Sequence, residues 1–255
     1  MKKQKNITPF SLLVSVTLIL LAIFIFLGYI WNVVKHSGIF TVREIAVKGS
    51  AQASLSYLKG RNIFDIDSRR ESRDALNAYP DYSGIRLVKI LPDRIFVEFI
   101  GRKPVGLIKL YRYFAVDESG TIFSTQGSLL DEHSLPVITG LETKLFGPKP
   151  GVRYNIKELN LALEILRQAK RTHLLKYYKI RRIDVYNPVN ASIFIPLANN
   201  NRGDLEVKLG SNNIADKISI LSGLIINGKN DISGIKYIDL RFDEPVIKLN
   251  DYKSK

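Results

Sequence analysis

Residues 85–101 read IRLVKILPDRIFVEFIG, and their pattern decides the first part of the fold. Apolar and polar residues alternate on both sides of Pro92-Asp93-Arg94, which predicts two strands joined by a proline-initiated turn. Upstream, FTVREIAVKG at 40–49 has strand character, with Val42, Ile45 and Val47 as its apolar positions and Gly49 as a turn. Between them, SAQASLSYLKGRN at 50–62 predicts a short helix closed by Gly60. A second helix is predicted to open at Ser68, where Ser68 and Glu71 stand at capping-box spacing, and to stop at Tyr79-Pro80. The order is therefore β-α-α-β-β.

Downstream of Lys103-Pro104 short strands recur. VGLIKL, RYFAVD and TIFST come first, the last two joined through the turn Glu118-Ser119-Gly120. RIDVY, SIFIPL, LEVKLG, IKYIDLRF and VIKLN follow. Two amphipathic helices are predicted among them, over Asn155–His173 and Asn212–Asn227. The economical architecture is a mainly antiparallel sheet with helices on one face, an α+β class.

Upstream of everything, residues 6–34 carry no charge, and 10–34 read FSLLVSVTLILLAIFIFLGYIWNVV. Twenty-five helical residues extend about 37 Å, more than the ~30 Å hydrocarbon core of a bilayer. Tyr29 and Trp31 stand where an interfacial aromatic belt belongs, and no small-residue cleavage pattern follows the run, so an uncleaved anchor is predicted. Lys2, Lys3 and Lys5 precede the span and only Lys35 follows it closely, which predicts a cytoplasmic tail and an exported remainder. The predicted divisions are a tail at 1–9, the span at 10–34, a first domain at 40–102, a second at 103–250 and a tail at 251–255.

The 255 residues hold 38 Lys and Arg against 24 Asp and Glu, a net charge of +14. Without residues 1–36 the exported part keeps 34 cations and 24 anions, +10. Outside a cytoplasmic membrane such a surface is either simply solvated or suited to anionic lipid headgroups, acidic envelope polymers or an acidic protein, and not to nucleic acid. There is no Cys, and the three His (His36, His133, His173) are far apart in sequence, which sets aside thiol, disulfide and metal chemistry. One catalytic string exists, Ser56-x-x-Lys59, the spacing of penicillin-interacting enzymes, but its companion motifs are missing. The carboxylate pairs Asp65/Asp67 and Asp117/Glu118 read as turn and capping residues. Arg69, Arg70 and Arg73 interleave with Glu71 and Asp74 as on a solvated helix face. Asn190-Ala-Ser192 matches a glycosylation sequon by pattern. No catalytic residue, bound small-molecule substrate, cofactor or metal is predicted.

From Lys2 to Leu249 the chain resembles the FtsQ/DivIB cell-division proteins of bacteria. The resemblance is carried by the short basic tail and span, Phe40-Thr-Val with Ile45-x-Val47-x-Gly49, and Asn62-Ile-Phe-Asp-Ile-Asp67. It continues through Leu91-Pro-Asp-Arg94, Arg102-Lys-Pro-Val105, Tyr113-Phe-Ala-Val-Asp-Glu-Ser-Gly120 with Ile122-Phe123, Leu135-Pro-Val-Ile-Thr-Gly140 and Tyr237-Ile-Asp-Leu-Arg-Phe242. Gly101 and Gly106 stand where that family commonly has an acidic residue and an alanine. The resemblance implies that the β-α-α-β-β unit is a POTRA domain followed by an FtsQ-type β domain. It implies a single-pass, non-enzymatic scaffold in the bacterial inner membrane at the division septum. Its expected partners are FtsB, FtsL and other division proteins, and through them it would help control septal peptidoglycan synthesis. A membrane-anchored peptidoglycan enzyme using Ser56 and Lys59, and a POTRA-type envelope chaperone, are the alternatives from other classes.

The segment Gly234–Phe242 is expected to be an edge strand that a partner such as FtsB extends with a strand of its own. Ile238, Leu240 and Phe242 form an apolar row suited to burial, with Phe242 the residue whose side the pattern does not fix. Tyr237, Arg241, Phe242 and Glu244 are the expected partner-binding residues. Arg241 is suited to a charge-assisted bond to a partner carboxylate.

Overall fold

The fold is seen in a computed structural model that describes residues 9–49, 55–124, 135–197, 203–227 and 232–250. Most of the N-terminal tail, the start of the predicted helix at 50–54, His133 and the tail at 251–255 lie outside these residues. The chain divides into two units, one of residues 1–79 and 84–100, the other of residues 80–83 and 101–255.

In the first unit α1 (Pro9–Lys35) is followed by a 3₁₀ turn at Gly38–Phe40. From Leu12 the helix is long and apolar enough to cross a membrane, with a mean hydropathy of 2.8, and its side chains from 12 to 34 are all exposed. A three-stranded sheet follows in the order β1 (Glu44–Lys48), β3 (Arg94–Gly101), β2 (Tyr82–Ile90). The first and last strands of the sequence order meet because β1 pairs parallel with β3, Ile45 opposite Ile95 and Val47 opposite Val97. The predicted first helix is, over its described part, only a 3₁₀ turn at Ser56–Leu58 that buries Leu58. The second is α2 (Ser68–Ala78), but its cap is Asp67 and not Ser68. The Asp67 carboxylate accepts from the N–H groups of Arg69 and Arg70, which holds it below the ordinary carboxylate range. Glu71, freed from a capping box, accepts instead from Arg61 and the Tyr57 hydroxyl, both at 2.8 Å.

The second unit is a nine-stranded sheet. Its strands are β4 (Pro104–Lys109), β5 (Tyr113–Asp117), β6 (Ile122–Ser124), β7 (Val137–Thr139), β8 (Arg182–Asp184), β9 (Ser192–Pro196), β10 (Asp204–Lys208), β11 (Ile235–Asp239) and β12 (Val246–Leu249). In space they run β12-β11-β10-β9-β8-β7-β4-β5-β6. Most pairings are antiparallel, but β7 lies parallel to both β4 and β8, and β10 parallel to β11. Two of the parallel pairs follow from the connections. The link from β7 to β8 carries α3 (Lys157–Arg171) and α4 (Leu174–Tyr177), and that from β10 to β11 carries α5 (Ile214–Ser222). A strand–helix–strand link crosses over the sheet and returns in the same direction.

α3 and α5 cover one face. Pairing registers align Ile238, Val207, Ile193, Ile183, Ile138 and Ile108 in one continuous row across six strands, all fully buried against the helices. The sheet's other face holds a smaller cluster of Leu107, Ala115 and Phe123, and beyond it becomes polar toward β10 and β11. β7 was not foreseen as a strand. It has three residues, too short to show an alternation, although its buried Ile138 joins the row between Ile183 and Ile108.

Candidate partner-binding edge

The segment Gly234–Phe242 is not a sheet edge. β11 has β10 on one side and β12 on the other, so the expectation of an open edge there is corrected. The reason is the four-residue β12, within the VIKLN stretch expected as a strand, which folds back antiparallel on β11 with Ile247 opposite Ile238 and takes the edge position itself. Among the described residues β12 pairs with β11 alone and ends the sheet.

The orientation of its backbone can be read from one bond. The Asn250 N–H donates to the Gly234 carbonyl at 2.9 Å, so Lys248 and Val246 also turn their N–H and C=O toward β11. Those of Ile247 and Leu249 turn outward. The side chains of β12 are all exposed, Leu249 at 63%. The opposite end of the sheet is closed differently. At β6 the Ile122 N–H donates to Val152 O at 3.1 Å, Gly151 N–H to Ile122 O at 2.7 Å, and Ser124 N–H to the Asp81 carboxylate at 2.9 Å. Among the described residues, one edge is sealed by its own chain and the other is presented.

Arg241 stands where β11 gives way to the loop before β12. Its Nε and NH2 donate to both oxygens of Asp239, at 2.9 and 2.6 Å, and NH1 donates to Asn190 Oδ1 at 2.5 Å. This fork holds the buried Asp239 carboxyl below the usual carboxylate range against the opposing effect of burial, and raises the guanidinium. Arg241 is thus fixed in place, and its guanidinium lies 5.8 Å from the ring of Phe242. Phe242 is 62% exposed, whereas Ile238 and Leu240 are core. The row of three is therefore split: its last member leaves the strand and points to solvent. Val189, Gly210, Ser211, Asn212 and Lys217 complete a hollow of about 250 Å³ beside Arg241 and Phe242. Gly210 has φ +67, and a Cβ there would meet Val189 O at 3.0 Å. Backbone conformation and space both favour glycine at that wall. Tyr237 lies on the sheet's polar face under the Lys208 ammonium, 4.7 Å from its ring centre, and Glu244 is exposed in the loop before β12.

Arg241 and Phe242 are therefore neighbours, with Tyr237 on the adjoining face and Glu244 between them and the edge. Val189 and Lys217 come from distant sequence and carry no signal of their own, and the sequon pattern at Asn190 does not point to this role. Asn190, the sequon residue, is engaged by Arg241.

The catalytic-looking residues are placed elsewhere and used otherwise. Ser56 and Lys59 are exposed on a 3₁₀ turn, not on an α-helix, and Lys59 follows it with extended backbone. Asp65 faces Lys35 at 3.9 Å, Glu118 accepts from Lys170 at 2.7 Å, and Asp117 accepts from Arg102, Ser119 and Thr121. Among the described residues no group of three His, Cys, Asp or Glu could hold a metal ion.

Residues 108–241 match the family model described as "Cell division protein FtsQ/DivIB, C-terminal". The chain belongs to the FtsQ/DivIB family. It is 25% identical over 251 residues to the cell division protein FtsQ of Koribacter versatilis, covering 92% of this chain and 69% of that one. It is also 25% identical over 235 residues to the FtsQ of Geotalea daltonii, 86% and 80% covered. With the FtsQ of Anaeromyxobacter sp. (strain K) it shares 28% identity over 130 residues, 48% and 43% covered. The match to the family model ends at Arg241, so the presented edge β12 lies just beyond it.

Proposed function

We propose that this cell-division family member is a non-enzymatic, single-pass scaffold of the bacterial divisome. In this reading α1 anchors it in the inner membrane at the septum, residues 1–9 stay in the cytoplasm, and residues 37–255 lie outside. Residues 40–102 form a POTRA domain and 103–250 the β domain. The exported part holds FtsB and FtsL and so helps control septal peptidoglycan synthesis. One observation carries the partner reading: β12 is an open edge with outward backbone groups at Ile247 and Leu249, beside the fixed Arg241 and exposed Phe242. A strand of FtsB added there would satisfy those groups, with Arg241, Phe242, Tyr237 and Glu244 supplying specificity.

Proline at Ile247 tests it. The ring removes an outward N–H and leaves the bonds from Val246 and Lys248 to β11 in place, so the domain stays folded. Each lost backbone bond is worth about 1 kcal/mol, and the ring also blocks close approach, so capture of FtsB should weaken at least about tenfold. Pull-down with FtsB, beside the melting curve of the same variant, reads both effects. Capture at the parent's affinity by a folded Ile247→Pro chain would place the partner elsewhere.

A further inference from the structure

The outer end of α1 is held by a part of the chain almost thirty residues away. Asn62 donates from Nδ2 to the Lys35 carbonyl at 2.7 Å, one of the last helical carbonyls, which has no partner within the helix. The Phe64 ring lies 5.9 Å from that of Trp31, inside α1, and 4.9 Å from that of Phe40. Asp65 faces the Lys35 ammonium at 3.9 Å. The 3₁₀ turn Ile63–Asp65 thereby grips the helix from Trp31 to Lys35. Asn62 shapes the turn as well, because its Oδ1 accepts from the Phe64 N–H at 2.9 Å.

The depth of this grip follows from α1 itself. A ~30 Å hydrocarbon core takes about 20 helical residues, so a core centred on the uncharged run 10–34 ends close to Trp31. A ring seated on Trp31 is then at the boundary between hydrocarbon and headgroups, where aromatic rings are favourably placed. Ile39 beside the turn is 60% exposed, and the exposed Lys59 two residues before Arg61 is in no ion pair among the described residues. Apolar rings at the boundary with ammonium groups just outside it match the two layers of a phospholipid surface.

We propose that the Asn62–Asp65 turn, with Phe40 and Ile39, is a membrane-interface docking site that seats the small unit in the phosphate-bearing headgroup layer and joins it rigidly to the end of α1. The proposal rests on α1 spanning the membrane. It gives the signature Asn62-Ile-Phe-Asp a physical role, since Ile63 enters the core, fully buried, while Asn62 and Phe64 turn toward the helix.

The chain has no Cys and one Trp, which suits a direct test on the whole protein in nanodiscs of phosphatidylglycerol and phosphatidylethanolamine. A nitroxide attached to Asp65→Cys should be more accessible to oxygen than to a water-soluble nickel chelate, the ordering of a membrane interface. Asn62→Asp keeps the acceptor that shapes the turn, removes the donor to Lys35 O, and sets a negative charge against the helix C-terminus. In that background the ordering should invert, and Phe64→Ala should do the same while shifting Trp31 emission to the red. A label at 65 that is water-accessible in the parent, or unmoved by both substitutions, overturns the proposal. Release of the parent chain from membranes by alkaline carbonate would instead refute the anchor. FtsB capture by the same variants, expected unchanged, shows that the domain beyond remains folded.

Discussion

Replacing Arg102 by Ala should loosen the second unit from its first residues. Arg102 donates from NH1 to Asp117 Oδ2 at 2.9 Å and from Nε to the Pro80 carbonyl at 3.2 Å, with side chains only 14% and 15% exposed in the pair. It therefore ties the 80–83 segment to Asp117 at the end of β5. Breaking a buried pair from one side costs about 3–5 kcal/mol in general. Asp117 keeps the donors Ser119 N–H, Ser119 Oγ and Thr121 N–H, so the cost here falls to the bottom of that range or just below it, about 2–3 kcal/mol. For a unit of this size that lowers Tm by about 4–12 °C. Burial alone would raise the Asp117 pKa, but hydrogen bonds from Ser119, Thr121 and Arg102 outweigh it and hold it below the ordinary carboxylate range. A depressed folded value means stability that is full above the ordinary range and lost as pH falls through the folded value. The gap between parent and Arg102→Ala should accordingly be widest near neutral pH and narrow in acid. Thermal melts of the full chain in detergent micelles, followed by tyrosine near-ultraviolet circular dichroism at several pH values, measure both. Melting within about 2 °C of the parent at neutral pH, or a gap that widens in acid, would refute the reasoning.

Two further outcomes follow from local geometry. Gly140 has φ +92, and a Cβ there would lie 2.2 Å from Tyr186 N, a backbone atom that cannot swing aside. Gly140→Ala should cost about 3 kcal/mol or more through backbone strain and overpacking, read as a lowered Tm, and an unchanged Tm would contradict it. Ser56→Ala with Lys59→Ala should leave cell division and protein level intact. Loss of division by a stably folded double variant, or labelling of Ser56 by a β-lactam, would return the enzyme reading.

What was legible in the sequence was whatever depends on short-range pattern. The span, α3, α5 and most strands follow from runs of apolar residues at periods of 3.6 or 2, and α2 from its cap and stop residues, all of which neighbouring residues fix. The cap of α2 was misplaced by one residue because Asp67 and Ser68 are both good caps, and only the bonds to Arg69 and Arg70 N–H choose between them. The first predicted helix failed where its described part tightens to 3₁₀ around buried Leu58. The proposed partner site is half legible. Arg241 and Phe242 could be named, yet the hollow beside them is built from residues 189 and 210–217, brought there by sheet order. Nothing in a linear pattern states which strand will be last in space.

That order bears on how the edge behaves. Natural sheets blunt an exposed edge with charge, proline or a covering segment. β6 has the covering segment, with Asp81, Gly151 and Val152 closing it. β12 has Pro245 before it and Lys248 within it, but Lys248 lies on the polar face opposite Tyr237, not along the outward row. The outward backbone groups belong to Ile247 and Leu249, both exposed and apolar, and the neighbouring Phe242 and Val189 are apolar too. An isolated chain with such an edge is prone to pair with itself. A strand that fills the edge, as the proposed partner strand would, removes the hazard and covers the same apolar residues.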